Sequence, residues 1–294
     1  MRNAMFYGCG TALVTPFRGN RVDFDALESL IDWQIEEGVD ALVILGTTGE
    51  PSTVTDAERP AIIECAIARA GRRVPVIVGT GSNDTRTAIR QSVEAQTLGA
   101  DGLLVVTPYY NRASQEGLAR HYDAIAERVE LPVIMYNVPA RTGVNLLPQT
   151  VAALARHPNL CGVKEASGNI RQLTDLAAAC GEGVAVYCGN DDQVVPAMAL
   201  GARGVISVAA NVIPRQMHEL AMAWLQGDTG KALALQLKLL PLIRALFSEV
   251  NPIPVKSALA RMGLIEENLR LPLWPLDDVK AEALNRELKR FELI

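Results

Sequence analysis

Pro132-Val133-Ile134-Met135-Tyr136-Asn137-Val138-Pro139-Ala140-Arg141 and, further along, Cys161-Gly162-Val163-Lys164-Glu165 decide how this chain folds. Each opens as a short, continuously apolar run and then meets a polar side chain with chemistry of its own, Tyr136 in the first and Lys164 in the second. Apolar runs of about four to eight residues between turn residues read as strands covered on both faces, the mark of a parallel sheet under helices. A lysine at the end of such a strand loses hydration, which favours its neutral form, and a neutral amine attacks carbonyls. Lys164 is therefore a candidate Schiff-base lysine. Taken by itself, it would more often be a strand-terminal lysine snorkelling to water. The neighbouring motifs tip the balance.

Working outward, the same unit recurs. Strand-like runs fall at residues 11–15, 41–45, 75–79, 102–106, 132–136, 161–164, 184–188 and 204–208, eight in all. Helix signals lie between them. Leu27, Leu30, Ile31 and Ile35 share one face after Asp25, and Gly38 closes that helix. Thr55-Asp56-Ala57-Glu58 has the spacing of a capping box. Asn83 or Asp84, Ser114, Pro148, Asn169, and Asn190 or Asp191 stand at further helix starts. Eight strand–helix units predict an α/β fold, a (β/α)8 TIM barrel. A doubly wound open sheet would want Gly-x-Gly-x-x-Gly after the first strand; Gly8-Cys9-Gly10 precedes that run and continues differently. Beyond residue 208 the chain reads helical at 216–226, 230–247, 254–262 and 277–291, more than an eighth barrel helix requires. The expected organisation is a barrel over 1–225 and an appended C-terminal helical layer over 226–294.

Composition bounds the function. The chain has 294 residues, 49% of them hydrophobic, with a net charge of −5, and no Lys/Arg block that would neutralise phosphates, so nucleic acid is not the expected partner. No apolar run approaches a membrane span, and none precedes Val14-Thr15-Pro16-Phe17 as a signal peptide would. Five cysteines, an odd number without Cys-x-x-Cys, fit reduced thiols and a cytoplasmic setting. His121, His157 and His218 are scattered, without metal-ligand spacing.

In such a barrel the chemistry sits at the C-terminal ends of the strands. Gly46-Thr47-Thr48-Gly49-Glu50 follows the second run and suits a carboxylate cradle, although a ligand-free turn has the same composition. Tyr109-Tyr110 follows the fourth and fits a proton relay or, more commonly, an interface. Arg141, beyond Tyr136, suits a bidentate clamp on a second carboxylate, though such arginines more often pair at the surface. Gly189 follows the seventh run, and Ile206 in the eighth either walls an apolar pocket or fills the barrel. One lysine, several hydroxyls, one arginine and backbone donors suit a keto acid held as an imine.

These residues carry a family resemblance. Val14-Thr15-Pro16-Phe17, Gly46–Glu50, Val78-Gly79-Thr80-Gly81, Val106-Thr107-Pro108-Tyr109-Tyr110-Asn111, Tyr136–Gly143, Val163-Lys164-Glu165-Ala166, Gly204–Val208 and Asn251-Pro252-Ile253-Pro254-Val255-Lys256 together resemble the dihydrodipicolinate synthase family, of the pyruvate-dependent class I aldolases that include N-acetylneuraminate lyase. The resemblance covers essentially the whole chain. It implies that Lys164 forms the Schiff base with pyruvate, that Thr48 and the amide of Thr47 hold its carboxylate, and that Tyr136 moves protons. It further implies a relay completed by Thr47 and by Tyr110 reaching into a neighbouring subunit's site, Arg141 on the carboxylate of L-aspartate-4-semialdehyde, and Ile206 and Gly189 along the pyruvate pocket. No metal or organic cofactor is implied, and the family is usually a homotetramer, a dimer of dimers. A sugar-acid aldolase or N-acetylneuraminate lyase is the alternative reading, and a non-catalytic pyruvate binder on the same fold a more remote one. One departure stands out. Asn83 and Tyr109 fit the pattern of lysine-inhibited relatives, but Asp56 and Arg59 replace histidines and Thr87 replaces a glutamate that would bind the effector's ammonium. Weak or absent inhibition by lysine is therefore expected.

Overall fold

The computed structural model describes residues 4–294; the first three, which belong to the stretch expected to lack a targeting signal, lie outside it. The chain folds in the order β1 (Gly8–Ala12), β2 (Phe17–Arg18), β3 (Arg21–Val22), α1 (Phe24–Glu36), β4 (Ala41–Ile44), α2 (Glu58–Ala70), β5 (Val76–Gly79), α3 (Thr85–Thr97), β6 (Gly102–Val106) and α4 (Gln115–Ala126). It continues with β7 (Val133–Asn137), α5 (Pro139–Thr142), α6 (Pro148–Leu154), β8 (Leu160–Glu165), α7 (Ile170–Cys180), β9 (Ala185–Cys188), α8 (Val194–Ala199), β10 (Gly204–Ser207) and α9 (Pro214–Leu225). The C-terminal region is helical: α10 (Thr229–Leu246), α11 (Ile253–Arg261) and α12 (Asp278–Arg290). Eight parallel strands, β1 and β4 through β10, close into a barrel, while β2 and β3 form a separate antiparallel ribbon.

The barrel closes because its strands alternate between two apolar cores. Ala41 and Val43 of β4, Ile134 and Tyr136 of β7, Ala185 and Tyr187 of β9 and Ile206 of β10 belong to an inner cluster. Their neighbours Leu42, Ile44, Val133, Met135, Val186 and Val205 belong to the outer cluster with the surrounding helices. Strand alternation, invisible in runs that are apolar throughout, thus fills the barrel and packs the helices onto it. At one end of the interior Phe6 stacks on Tyr187 with ring centroids 4.5 Å apart, and the Tyr187 hydroxyl donates to the Phe6 carbonyl at 3.1 Å.

The first strand corrects the reading from sequence. It spans Gly8–Ala12, not 11–15, so Gly8-Cys9-Gly10 lies within it. The glycines that argued for a preceding loop are needed there: Gly8 has φ 105°, and a Cβ would run into the Asp40 carboxylate. The helix starts fall where capping chemistry predicts. Thr55 and Glu58 form the reciprocal box, backbone N–H of Thr55 to Glu58 at 3.0 Å and N–H of Glu58 to Thr55 Oγ1 at 3.2 Å. Asp84, Ser114 and Asn169 each cap their helix through the side chain. After Asn190 the chain first makes a 3-10 turn, Asp191–Gln193, and α8 begins only at Val194.

Leu239, Leu242, Leu246, Val255, Leu259, Leu284 and Leu288 of the C-terminal helices belong to the same outer cluster as the barrel residues. Polar contacts bind the two further. The fully buried Lys256 Nζ meets Glu50 Oε1 at 2.6 Å, and Arg270 grips Glu58 with Nη1 at 2.8 Å and Nη2 at 2.6 Å. Phe17 lies under both cations, 4.2 Å from Lys256 Nζ and 4.1 Å from the Arg270 guanidinium carbon.

Candidate active site

The register of β7 on β8 places Tyr136 opposite Lys164, both on the inward face at the C-terminal ends of their strands. Lys164 Nζ lies 4.4 Å from the centroid of the Tyr136 ring. Lys164 is 4% exposed, and among the described residues no carboxylate stands within ion-pair distance of its ammonium. Lys256, equally buried, has Glu50. A buried cation without a counter-ion is costly. Lys164 thus differs from Lys256, whose charge is paired.

Two adjoining cavities, of about 350 and 310 Å3, open above this pair and share Tyr136, Val138, Arg141 and Asn251. Thr47 lines the larger; Thr48, Lys164 and Gly189 line the smaller. Thr47 and Thr48 open a 3-10 turn between Leu45 and Glu50, both with φ 53°, and the first amides of such a turn have no partner within it. Glu50, at the end of the expected carboxylate cradle, turns away from it to Lys256 and to the backbone N–H of Arg270 at 3.3 Å. At Gly189 a Cβ would stand 2.5 Å from that of Ala166 and 3.1 Å from Lys164 Cε, so any side chain there would crowd the lysine.

Two expected residues stand apart from this group. Ile206 is wholly buried in the inner cluster and lines neither cavity; of the two readings open for it, it takes the barrel-filling one. Tyr110 is 88% exposed, with φ 75°, and lines neither cavity of its own chain. Tyr109 lines the larger one.

Asn251 is the residue that sequence reasoning left without a role. Its Nδ2 donates to Thr48 Oγ1 at 2.9 Å, and its carbonyl accepts from Arg141 Nη2. It thereby ties the threonine turn and the arginine to the segment before α11. The one available signal was Asn251-Pro252, an X-Pro pair ahead of a helix, and the structure makes that bond cis. Glu165 is also structural: its carboxylate faces outward and accepts from Asn137 Nδ2 at 2.9 Å, Gln172 Nε2 at 3.1 Å and the backbone N–H of Ser167 at 2.6 Å. Behind Gly189, burial raises the Asp191 carboxyl, while hydrogen bonds from Ser207 and the amides of Ala209 and Val208, and the charge of Lys164, act the other way. Burial pushes the Cys188 thiol up to about 12.

Of the residues that set the lysine-effector expectation, Arg59 and Tyr109 line the larger cavity. Arg59 donates from Nη2 to the Gly79 carbonyl at 2.6 Å, and is lowered by burial to about 10. Asp56 faces Arg90 at 3.6 Å, and the Thr87 hydroxyl is spent on Asp84 at 2.8 Å. Among the described residues no group of three or more His, Cys, Asp or Glu side chains is arranged to hold a metal.

The sequence profile of the dihydrodipicolinate synthetase family matches residues 5–291. The 4-hydroxy-tetrahydrodipicolinate synthase of Alkaliphilus oremlandii is 51% identical over 290 residues, covering 99% of this chain and 100% of that one. The crystal structure of dihydrodipicolinate synthase from Thermotoga maritima superposes with a TM-score of 0.98 at 45% identity, covering 99% of this chain and 100% of that one. A structure described as the first monomeric dihydrodipicolinate synthase variant superposes at 0.97 and 45% identity, over 99% and 98% of the two chains. The chain belongs to the dihydrodipicolinate synthetase family.

Proposed function

We propose that this chain is a lyase of the 4-hydroxy-tetrahydrodipicolinate synthase class, condensing pyruvate with L-aspartate-4-semialdehyde on the way to diaminopimelate and lysine. The observation that carries the reading is Lys164: a buried amine without a counter-ion, beside a tyrosine ring, at the floor of a cavity whose rim holds an arginine. Lys164 Nζ attacks the C2 carbonyl of pyruvate, and water leaves as the C–N double bond forms. Loss of a C3 proton gives an enamine, whose carbon attacks the aldehyde. The amine of the second substrate then attacks C2, closes the ring and expels Lys164. Tyr136, with Thr47 and a neighbouring subunit's Tyr110, moves the protons. Thr48 and the Thr47 amide hold the pyruvate carboxylate, Gly189 shapes its pocket, and Arg141 receives the carboxylate of the semialdehyde. Holding both partners in place supplies much of the rate.

The working form is a homo-oligomer, a tetramer as in the family. Tyr110 supports this, since an aromatic side chain held away from its own cavity is free to enter another. A cytoplasmic setting is supported by the odd number of cysteines and the lack of a Cys-x-x-Cys pair in the sequence. Reaction without metal or organic cofactor is part of the same proposal.

The test is turnover with both substrates. Product formation that requires pyruvate and the semialdehyde together supports the synthase. Pyruvate release from a 2-keto-3-deoxy sugar acid or from N-acetylneuraminate, without semialdehyde turnover, overturns it. L-Lysine is expected to leave the rate unchanged at micromolar concentrations, because Thr87 offers no carboxylate to its ammonium; a low-micromolar midpoint in a dose–response curve would contradict this.

A further inference from the structure

The second substrate of the proposed reaction is a zwitterion. Its carboxylate and ammonium sit on one carbon, so a site that recognises it needs a cation and an anion side by side. Arg141 supplies the cation. The cavity that holds Lys164 and Arg141 has one acidic side chain in its lining, Glu249. The two charges are anchored on one short stretch of chain: Arg141 Nη2 donates to the Asn251 carbonyl, and Glu249 Oε1 accepts from the Val250 amide at 3.1 Å. Asn251, between them and the barrel, reaches Thr48, so this stretch is registered against the pocket floor.

Glu249 also meets Lys280 of α12 through Oε2, and Lys280 lies 3.5 Å from Asp277. The Glu249 side chain is 36% exposed and that of Lys280 35%. A half-exposed ion pair is weak, so a second ammonium joins or replaces the lysine at little cost. A carboxylate has about four acceptor positions, and Val250 and Lys280 leave some of them free.

We propose that Glu249 is the specificity-determining residue that binds the ammonium of the aldehyde substrate, opposite Arg141 on its carboxylate. This rests on the function proposed above and adds the amino group to what the site reads. A site built to pair a charged group discriminates against an analogue that lacks it. Glu249 thereby selects an amino acid semialdehyde over its des-amino counterpart.

The experiment compares the native enzyme with Glu249→Gln and Lys280→Met, using pyruvate, L-aspartate-4-semialdehyde and succinic semialdehyde, which has the same chain without the amino group. For Glu249→Gln the KM for aspartate semialdehyde is expected to rise about tenfold or more. Its KM for pyruvate and its inhibition by succinic semialdehyde are expected to stay within about twofold of native. Lys280→Met frees the carboxylate and is expected to leave the KM for aspartate semialdehyde unchanged or lower. If Glu249 only staples the chain to α12, the two variants lose stability and affinity together, and the inference is overturned. It is equally overturned if Glu249→Gln weakens both semialdehydes alike. A native enzyme that turns over no aspartate semialdehyde removes the proposed function itself, a result distinct from either.

Discussion

Two lysines in this molecule are almost free of solvent, and they answer opposite needs. Lys256 is neutralised by Glu50 and covered by Phe17, and burial lowers its pKa against the pull of that carboxylate. Lys164 has an aromatic ring and a cavity. Lys164→Ala is expected to abolish turnover, by about a thousandfold or more, because the nucleophile is gone, while the melting temperature holds or rises, since no ion pair is lost with the side chain. Lys256→Met is expected to do the reverse to stability, costing roughly 3–5 kcal/mol by leaving Glu50 buried alone. Thermal melts and initial rates on the two variants check the contrast. Cys188 gives a second prediction at this scale. It adjoins the Gly189 close approach, but it is buried, its Sγ points at the Asn190 carbonyl at 3.1 Å, and its thiol is pushed up to about 12. The thiolate is the reactive form, so iodoacetamide is expected to leave Cys188 unlabelled in the native protein and to label it only after unfolding, read by peptide mass mapping.

At the scale of elements, local chemistry and tertiary contacts often share one side chain. Glu58 closes the capping box at the start of α2 and also accepts from both terminal nitrogens, Nη1 and Nη2, of Arg270. The Arg270 hydrogen bond, together with those from Thr55, holds its carboxyl down from 4.5 to about 2. A carboxyl lowered in the folded state stabilises fully above its unfolded value and loses that contribution as pH falls toward the folded one. Melting temperature is therefore expected to fall between about pH 4.5 and 2 more steeply in the native protein than in Glu58→Gln; parallel curves would mean that the clamp contributes nothing. The capping box was legible in Thr55 and Glu58 because its partners lie three residues apart. Arg270 was not, since no local pattern announces a partner more than two hundred residues away. The strands were legible for a related reason: runs such as Val133–Asn137 are apolar on both faces. Their ends were less so. β1 was placed three residues late because Gly8 and Gly10 look like loop until the Asp40 side chain that fills the space above Gly8 is seen. Of the site, Lys164, Tyr136 and Arg141 could be picked out as polar groups at or just beyond strand ends. Asn251 and Glu249 could not, because they approach from outside the strand–helix repeat and resemble any polar residue in a connecting segment.

For the molecule as a whole, the sequence suggested a barrel with helices appended, and the structure joins the two through one outer core and through Lys256–Glu50, Arg270–Glu58 and Asn251–Thr48. Elements that share a core unfold together, so a single transition is expected, with coincident melts by tryptophan fluorescence and far-ultraviolet circular dichroism; two separated transitions would show independent units. The same union places the pocket floor in the barrel and much of its rim in the C-terminal segment. The central claim remains that the lysine without a counter-ion is the one that does chemistry, and one measurement reads it most directly. The native protein is reduced with borohydride in the presence of pyruvate, digested and mapped by mass spectrometry. The account predicts a single reduced pyruvate adduct on Lys164 and none on Lys256. An adduct elsewhere, or no adduct at all, would contradict it.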